Sequence, residues 1–140
     1  MIDLKQRIPK QLRDQTNAEF EERIKNVSQN DLDNLKTEVP RKIKIISNSQ
    51  QAYVQELGMH VSILYSMLKL DKIESIEGLQ NYQLRIIAAI NYFIDDFDII
   101  PDHSLHDGFV DDALVVNQCL KQLPKAQKIK FEQYYSMVSN

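Results

Sequence analysis

Apolar residues recur at three- and four-residue spacing along most of this chain, the period of a helix face rather than the alternation of a strand. Ile2 to about Leu12 fits a short helix, with Pro9 as a break or a second start. Thr16-Asn-Ala-Glu19 has the pattern of a capping box, in which hydroxyl and carboxylate serve the free N–H groups of a helix start. The helix it would open carries Phe20, Ile24 and Val27 on one stripe. Ser28-Gln-Asn-Asp31 ends that helix and starts another short one, with Leu32 and Leu35 inward. Pro40 suits the first turn of the next helix. From Arg41 to about Leu70 the pattern is helical throughout: Ile43, Ile46 and Gln50 begin the stripe, and Tyr53, Leu57, His60/Val61, Leu64 and Leu68 continue it. His60 reads as an ordinary helix-face histidine. Gly58 weakens the helix locally, since glycine costs about 1 kcal/mol against alanine in a helix interior.

The second half has the clearest pattern. Leu79, Gln83, Ile86, Ile90 and Phe93 share a stripe that Leu84, Ile87 and Ala88 widen, so the helix 79–94 is apolar over much of its circumference and belongs at the centre of a fold. A second such helix runs over 109–123, with Pro124 at its end. A last helix over about Lys125 to Val138 buries some of Phe131, Tyr134, Tyr135 and Val138. No repeat, low-complexity segment or strand emerges. The pattern predicts an all-α fold, a single compact bundle of about six helices around a central antiparallel pair, 79–94 and 109–123, with residues 1–140 forming one domain.

Composition agrees with this. The 140 residues suit one domain with a real core, and three glycines and four prolines are too few for the turns of a sandwich or barrel. The net charge of −3 is unevenly spread. Residues 1–70 hold eleven Lys/Arg against nine Asp/Glu, and residues 71–140 hold six against eleven. An acidic second half argues against nucleic acid, whose phosphates need clustered cations. The basic clusters Arg41, Lys42, Lys44 and Lys121, Lys125, Lys128, Lys130 read as solvated helix faces. Cys119 is the only cysteine, so no intrachain disulfide forms, and its apolar surroundings make it a small buried hydrophobe. MIDLKQRIPK lacks the apolar segment of a secretory signal, and the longest apolar run, Ile86–Ile94, is about half of the roughly 20 residues that span a bilayer. The expected location is the cytoplasm, with peripheral membrane contact left open.

Candidate chemistry concentrates between the two central helices. Asp95 to Val115 reads DDFDIIPDHSLHDGFVDDALV, with seven aspartates, two histidines and no lysine or arginine. Pro101 lacks an N–H and turns the chain. Asp98 and Asp102 flank it, suited to accept backbone N–H bonds as caps or Asx-turns. Asp107, just before Gly108, is the expected N-cap of the next helix, and Asp111 and Asp112 fall in its first turns, where the macrodipole favours negative charge. Asp111 shares a partly polar row with Val115, Gln118 and Gln122. Asp112 shares a row with Phe109, Val116, Cys119 and Leu123, which should face the core, where a carboxylate needs partners. Candidates are turn N–H groups, Arg85, His103, His106, Tyr65 and Tyr92.

The segment AAINYFIDDFDIIPDHSLHDGFVDDALVV resembles the signature of the YkvA-like family, a small bacterial domain without an established activity. The matching positions are Ala89, Tyr92, Asp98, Ile99, Ile100, Pro101, Asp102, Gly108, Asp111, Asp112 and Ala113, with the family's spacing from Asp102 to Asp111. ILYSMLKLDKIESIEG is similar to the family's lead-in helix and linker. The resemblance covers about residues 61–123, leaving 1–60 as an unmatched helical segment and 124–140 as a C-terminal helix. Asp96 stands where the family has proline, His103-Ser104-Leu105 where it has apolar-Ile-Pro, and His106 and Asp107 where it has small or apolar residues. The resemblance implies a helical domain with an Asp-rich turn and brings no activity with it.

These features give a main reading and two alternatives. In the main one the protein is no enzyme and needs no cofactor: the turn built on Asp98, Pro101, Asp102, Asp107, Gly108, Asp111 and Asp112 is structural, and the module acts through contacts with a protein partner. In the alternative, Asp98, Asp102, Asp111 and Asp112 hold a divalent cation, with His103 or His106 as nitrogen donor. The spacing is not that of an EF-hand. A remote alternative is an HD-type phosphohydrolase with His106-Asp107 as its dyad and His60 upstream. That class needs a later Asp, and the chain has neither Asp nor His after Asp112.

Overall fold

A computed structural model describes residues 9–95 and 109–139. Six helices account for most of these residues: α1 Lys10–Lys25, α2 Gln29–Ile46, α3 Ala52–Leu70, α4 Asn81–Ile94, α5 Val110–Lys121 and α6 Lys125–Ser139. No strand occurs among them. The all-α bundle is as the periodicity predicts.

The two most apolar helices form its centre. Ile86, Ile87, Ile90 and Phe93 of α4 and Val110, Val115, Val116 and Cys119 of α5 are fully buried. The pair is antiparallel: Arg85 near the start of α4 donates to Gln122 just past the end of α5, and Tyr92 near the end of α4 donates to Asp111 in the first turn of α5. Around this pair pack α1, α2 and α3, while α6 lies chiefly against α3.

The N-terminal segment belongs to the same core. Phe20 of α1 and Leu35, Val39 and Ile46 of α2 are buried with α3, α4 and α5 side chains in one cluster. Three local expectations are corrected here. Thr16 does not cap a helix: α1 starts after Pro9, its N-cap, and runs through Thr16, which is buried on its inner face. Glu19 instead accepts from Arg23 one turn on. Pro40 starts no helix either, for it sits inside α2 on the exposed side. An interior proline costs about 3 kcal/mol, and the buried positions Leu35, Val39 and Ile46 on both sides of it hold the helix together across that cost. Finally, the long helix expected over 41–70 breaks at residues 47–51, where Ser-Asn-Ser-Gln offers competing local hydrogen bonds, including Ser47 Oγ to the Lys44 carbonyl.

The break folds α3 back on α2, and Gly58 marks the contact. A Cβ there would lie 3.1 Å from Cδ1 of Ile46. The glycine that weakens the helix in isolation gives α2 its close approach.

The helix start expected at Ser28 is present, and Ser28 caps it. Its hydroxyl accepts from the Asp31 N–H and the Asp31 carboxylate accepts from the Ser28 N–H, at 3.2 and 2.9 Å. Ser28→Ala is expected to lower stability by about 1 kcal/mol, read from the urea midpoint. An unchanged midpoint would show that the box adds nothing to the fold.

Candidate functional site

Of the residues singled out in the acidic stretch, Asp98, Pro101, Asp102, His103, His106, Asp107 and Gly108 lie outside the described residues. Asp111 and Asp112 are described, and both are 0% exposed. The expected contrast between a partly polar Asp111 and a core-facing Asp112 is therefore corrected. The helical wheel treats one side of α5 as open. In the bundle the first turn of α5 is enclosed, and Tyr92 of α4 meets Asp111 there.

One of the partners expected for Asp112, Tyr92, thus meets the other aspartate. Tyr92 is itself buried, and its hydroxyl donates to Oδ2 of Asp111 at 2.8 Å. Arg85 bonds Gln122 and, at 3.3 Å, Glu21. The helix start also differs from expectation: the cap position of α5 is Phe109, with φ 70° in the left-handed region, two residues after Asp107.

Residues that no motif announced surround this corner. Arg23 of α1 donates to Asp95 at 2.6 Å and to Glu19 at 3.1 Å, and its guanidinium lies 5.1 Å from the Tyr92 ring centroid. Burial works against its charge, but the hydrogen bonds and charges of Asp95 and Glu19 outweigh this and raise its pKa. A chain of contacts thus runs from Asp95 through Arg23 and Tyr92 to Asp111, tying α1, α4 and α5 together. From α2 comes Lys42, buried rather than solvated, with its ammonium 5.9 and 5.3 Å from the ring centroids of Phe93 and Phe109. Its spacing of three from Val39 and four from Ile46 marks it as an inward position. Grouping it with Arg41 and Lys44 as a basic cluster hid that signal.

Chemically, the described part of the corner is a set of buried polar groups used within the bundle. No group of three or more His, Cys, Asp or Glu side chains placed to hold a metal occurs among the described residues. The Cys119 thiol is buried, and burial pushes its pKa up to about 12. It has no thiolate character at neutral pH.

A second polar cluster lies between α3 and α6. His60 is nearly fully buried, and its Nε2 is 3.1 Å from Oε1 of Glu56 one turn earlier. The same carboxylate oxygen accepts from the Tyr135 hydroxyl of α6. The His60 ring meets Phe131 edge-on with centroids 5.4 Å apart. Far from an ordinary face position, His60 joins α3 to α6. Its periodicity placed it inward, but nothing in the sequence told that α6 would cover it.

No family model, curated protein or solved structure matches the chain. Geometry and physical chemistry are therefore the grounds for function, and His60 supplies a measurable signature.

Burial lowers the His60 pKa, and the nearby Glu56 charge opposes this without reversing it. The unfolded chain then takes up the proton first as pH falls, near the ordinary value of about 6.5. Stability from this residue is complete above that pH and declines as the pH drops through it toward the lower folded-state value. Urea midpoints of wild type are expected to fall more between pH 7.5 and 5.5 than those of His60→Gln. Equal declines would remove His60 from the pH response.

Proposed function

We propose that the protein is a non-catalytic helical module of the cytoplasm that acts through contacts with another protein, and that its Asp-rich corner serves the scaffold. One observation carries the binding half of this reading. Leu70 at the end of α3 is 63% exposed and Met137 on α6 is 74% exposed, and both line one groove with Met67 and Tyr134. Single exposed apolar residues are common on any protein. Two large ones sharing a groove, beside the exposed Val138, suit the apolar side of a partner.

The scaffold half draws support from the buried hydrogen bond between Tyr92 and Asp111. The resemblance of residues 61–123 to the YkvA-like family is in keeping with a helical module. The acidic second half speaks against nucleic acid as the partner, and no described helix is long and apolar enough to cross a membrane.

Affinity capture from cells with wild type and with Leu70→Glu/Met137→Glu tests the reading. Proteins held by wild type and lost by the variant, with the melting midpoint unchanged, are the expected result. An identical captured set would contradict it. A scaffold role also predicts that EDTA, Mn²⁺ and Zn²⁺ leave the midpoint where it is. A rise with one ion, dependent on its concentration, would favour the divalent-cation alternative instead.

A further inference from the structure

The cleft beside His60 has features that neither the scaffold nor the apolar groove uses. Its volume is about 610 Å³, within the range of small-molecule sites. It opens where α6 lies over α3 and α5, and it is lined by Leu120, Leu123 and Phe131, with Lys121 and Lys128 against the single acid Glu132. His60 forms part of its wall.

His60 also has an unfilled hydrogen-bond acceptor. A carboxylate accepts, so the ring nitrogen facing Glu56, Nε2, carries the proton. In the neutral ring Nδ1 is then an acceptor, and it has no hydrogen-bond partner. A buried acceptor left empty calls for an explanation. The covering helix is well placed to yield. Phe131, 8% exposed, is the one buried side chain of α6, and access to Nδ1 from the cleft requires a small outward movement of that helix.

We propose that this cleft binds a small phenolic carboxylate, with its negative group between Lys121 and Lys128, its ring on Leu123 and Phe131, and its hydroxyl donating to Nδ1 of His60. Each part of that ligand answers a part of the cleft. The two lysines select a negative charge, the apolar and aromatic wall an extended ring, and the empty acceptor a hydrogen-bond donor at the buried end.

Three fluorescent probes separate these contributions: 6-hydroxy-2-naphthoate, 2-naphthoate without the hydroxyl, and 2-naphthol without the carboxylate. Titration of the full chain is expected to give one site, with 6-hydroxy-2-naphthoate bound about tenfold more tightly than 2-naphthoate. The same probe should bind about fivefold more tightly than 2-naphthol. It should also move the ring ¹⁵N resonances of His60. The surface variant Lys121→Gln/Lys128→Gln should remove the preference over 2-naphthol, and His60→Phe the preference over 2-naphthoate. Affinities within twofold of each other for all three probes, preferences that survive in the lysine variant, or unmoved His60 resonances would each overturn the assignment. The lysine variant changes only exposed residues, so it tests the proposal even if His60→Phe does not fold.

Discussion

Phe20→Ala is expected to lower the unfolding free energy by about 3–5 kcal/mol, the range for removing a fully buried aromatic ring. Phe20 is the inward anchor of α1, and it sits in one apolar cluster with residues from α2, α3, α4 and α5. Its loss leaves a cavity that helices bonded on several sides cannot readily close. The effect also decides how the chain is organised. If α1 and α2 share the core, Phe20→Ala shifts a single transition, and probes at either end of the chain report the same midpoint. A variant that loosens only the N-terminal helices, while the α4–α5 pair melts as before, would show two independent units.

Tyr92→Phe is expected to cost about 1.5–3 kcal/mol, which is large for the removal of one oxygen atom. The ring remains, so apolar packing is retained. The change falls on Asp111, a fully buried carboxyl group that receives the Tyr92 hydroxyl at 2.8 Å. Water cannot reach the site to replace the donor, and the group keeps its desolvation cost. Urea denaturation at neutral pH measures the loss. A midpoint equal to that of wild type would show that Asp111 does not depend on Tyr92.

Much of this fold is legible in the sequence because helix periodicity is a local signal. The bounds of α4, α5 and α6, the stripe of α3 and the helix start at Ser28 all follow from residues within a few turns of one another. What the sequence withheld depends on contacts between distant segments. Thr16 has the chemistry of a cap and the position of a core residue, and only the packing of α1 decides between them. Pro40 reads as a start, yet burial of Val39 and Ile46 carries α2 through it. Gly58 reads as a weakness until Ile46 is seen against it. At the acidic corner, the periodicity of α5 separated Asp111 from Asp112, whereas enclosure by neighbouring helices made both buried. Lys42 and Arg23 were hidden because a cation on an inward row has no motif of its own; each is explained by rings and carboxylates on other helices.

If the described aspartates of this corner belong to the scaffold, Tyr92 and Asp111 are energetically coupled, and a double-mutant cycle measures that coupling. Unfolding free energies are measured for wild type, Tyr92→Phe, Asp111→Ala and the double variant. The single losses are expected not to add, with a coupling of about 1 kcal/mol or more between the two side chains. Additive losses, with coupling near zero, would contradict the claim that Asp111 is held in place by the bundle.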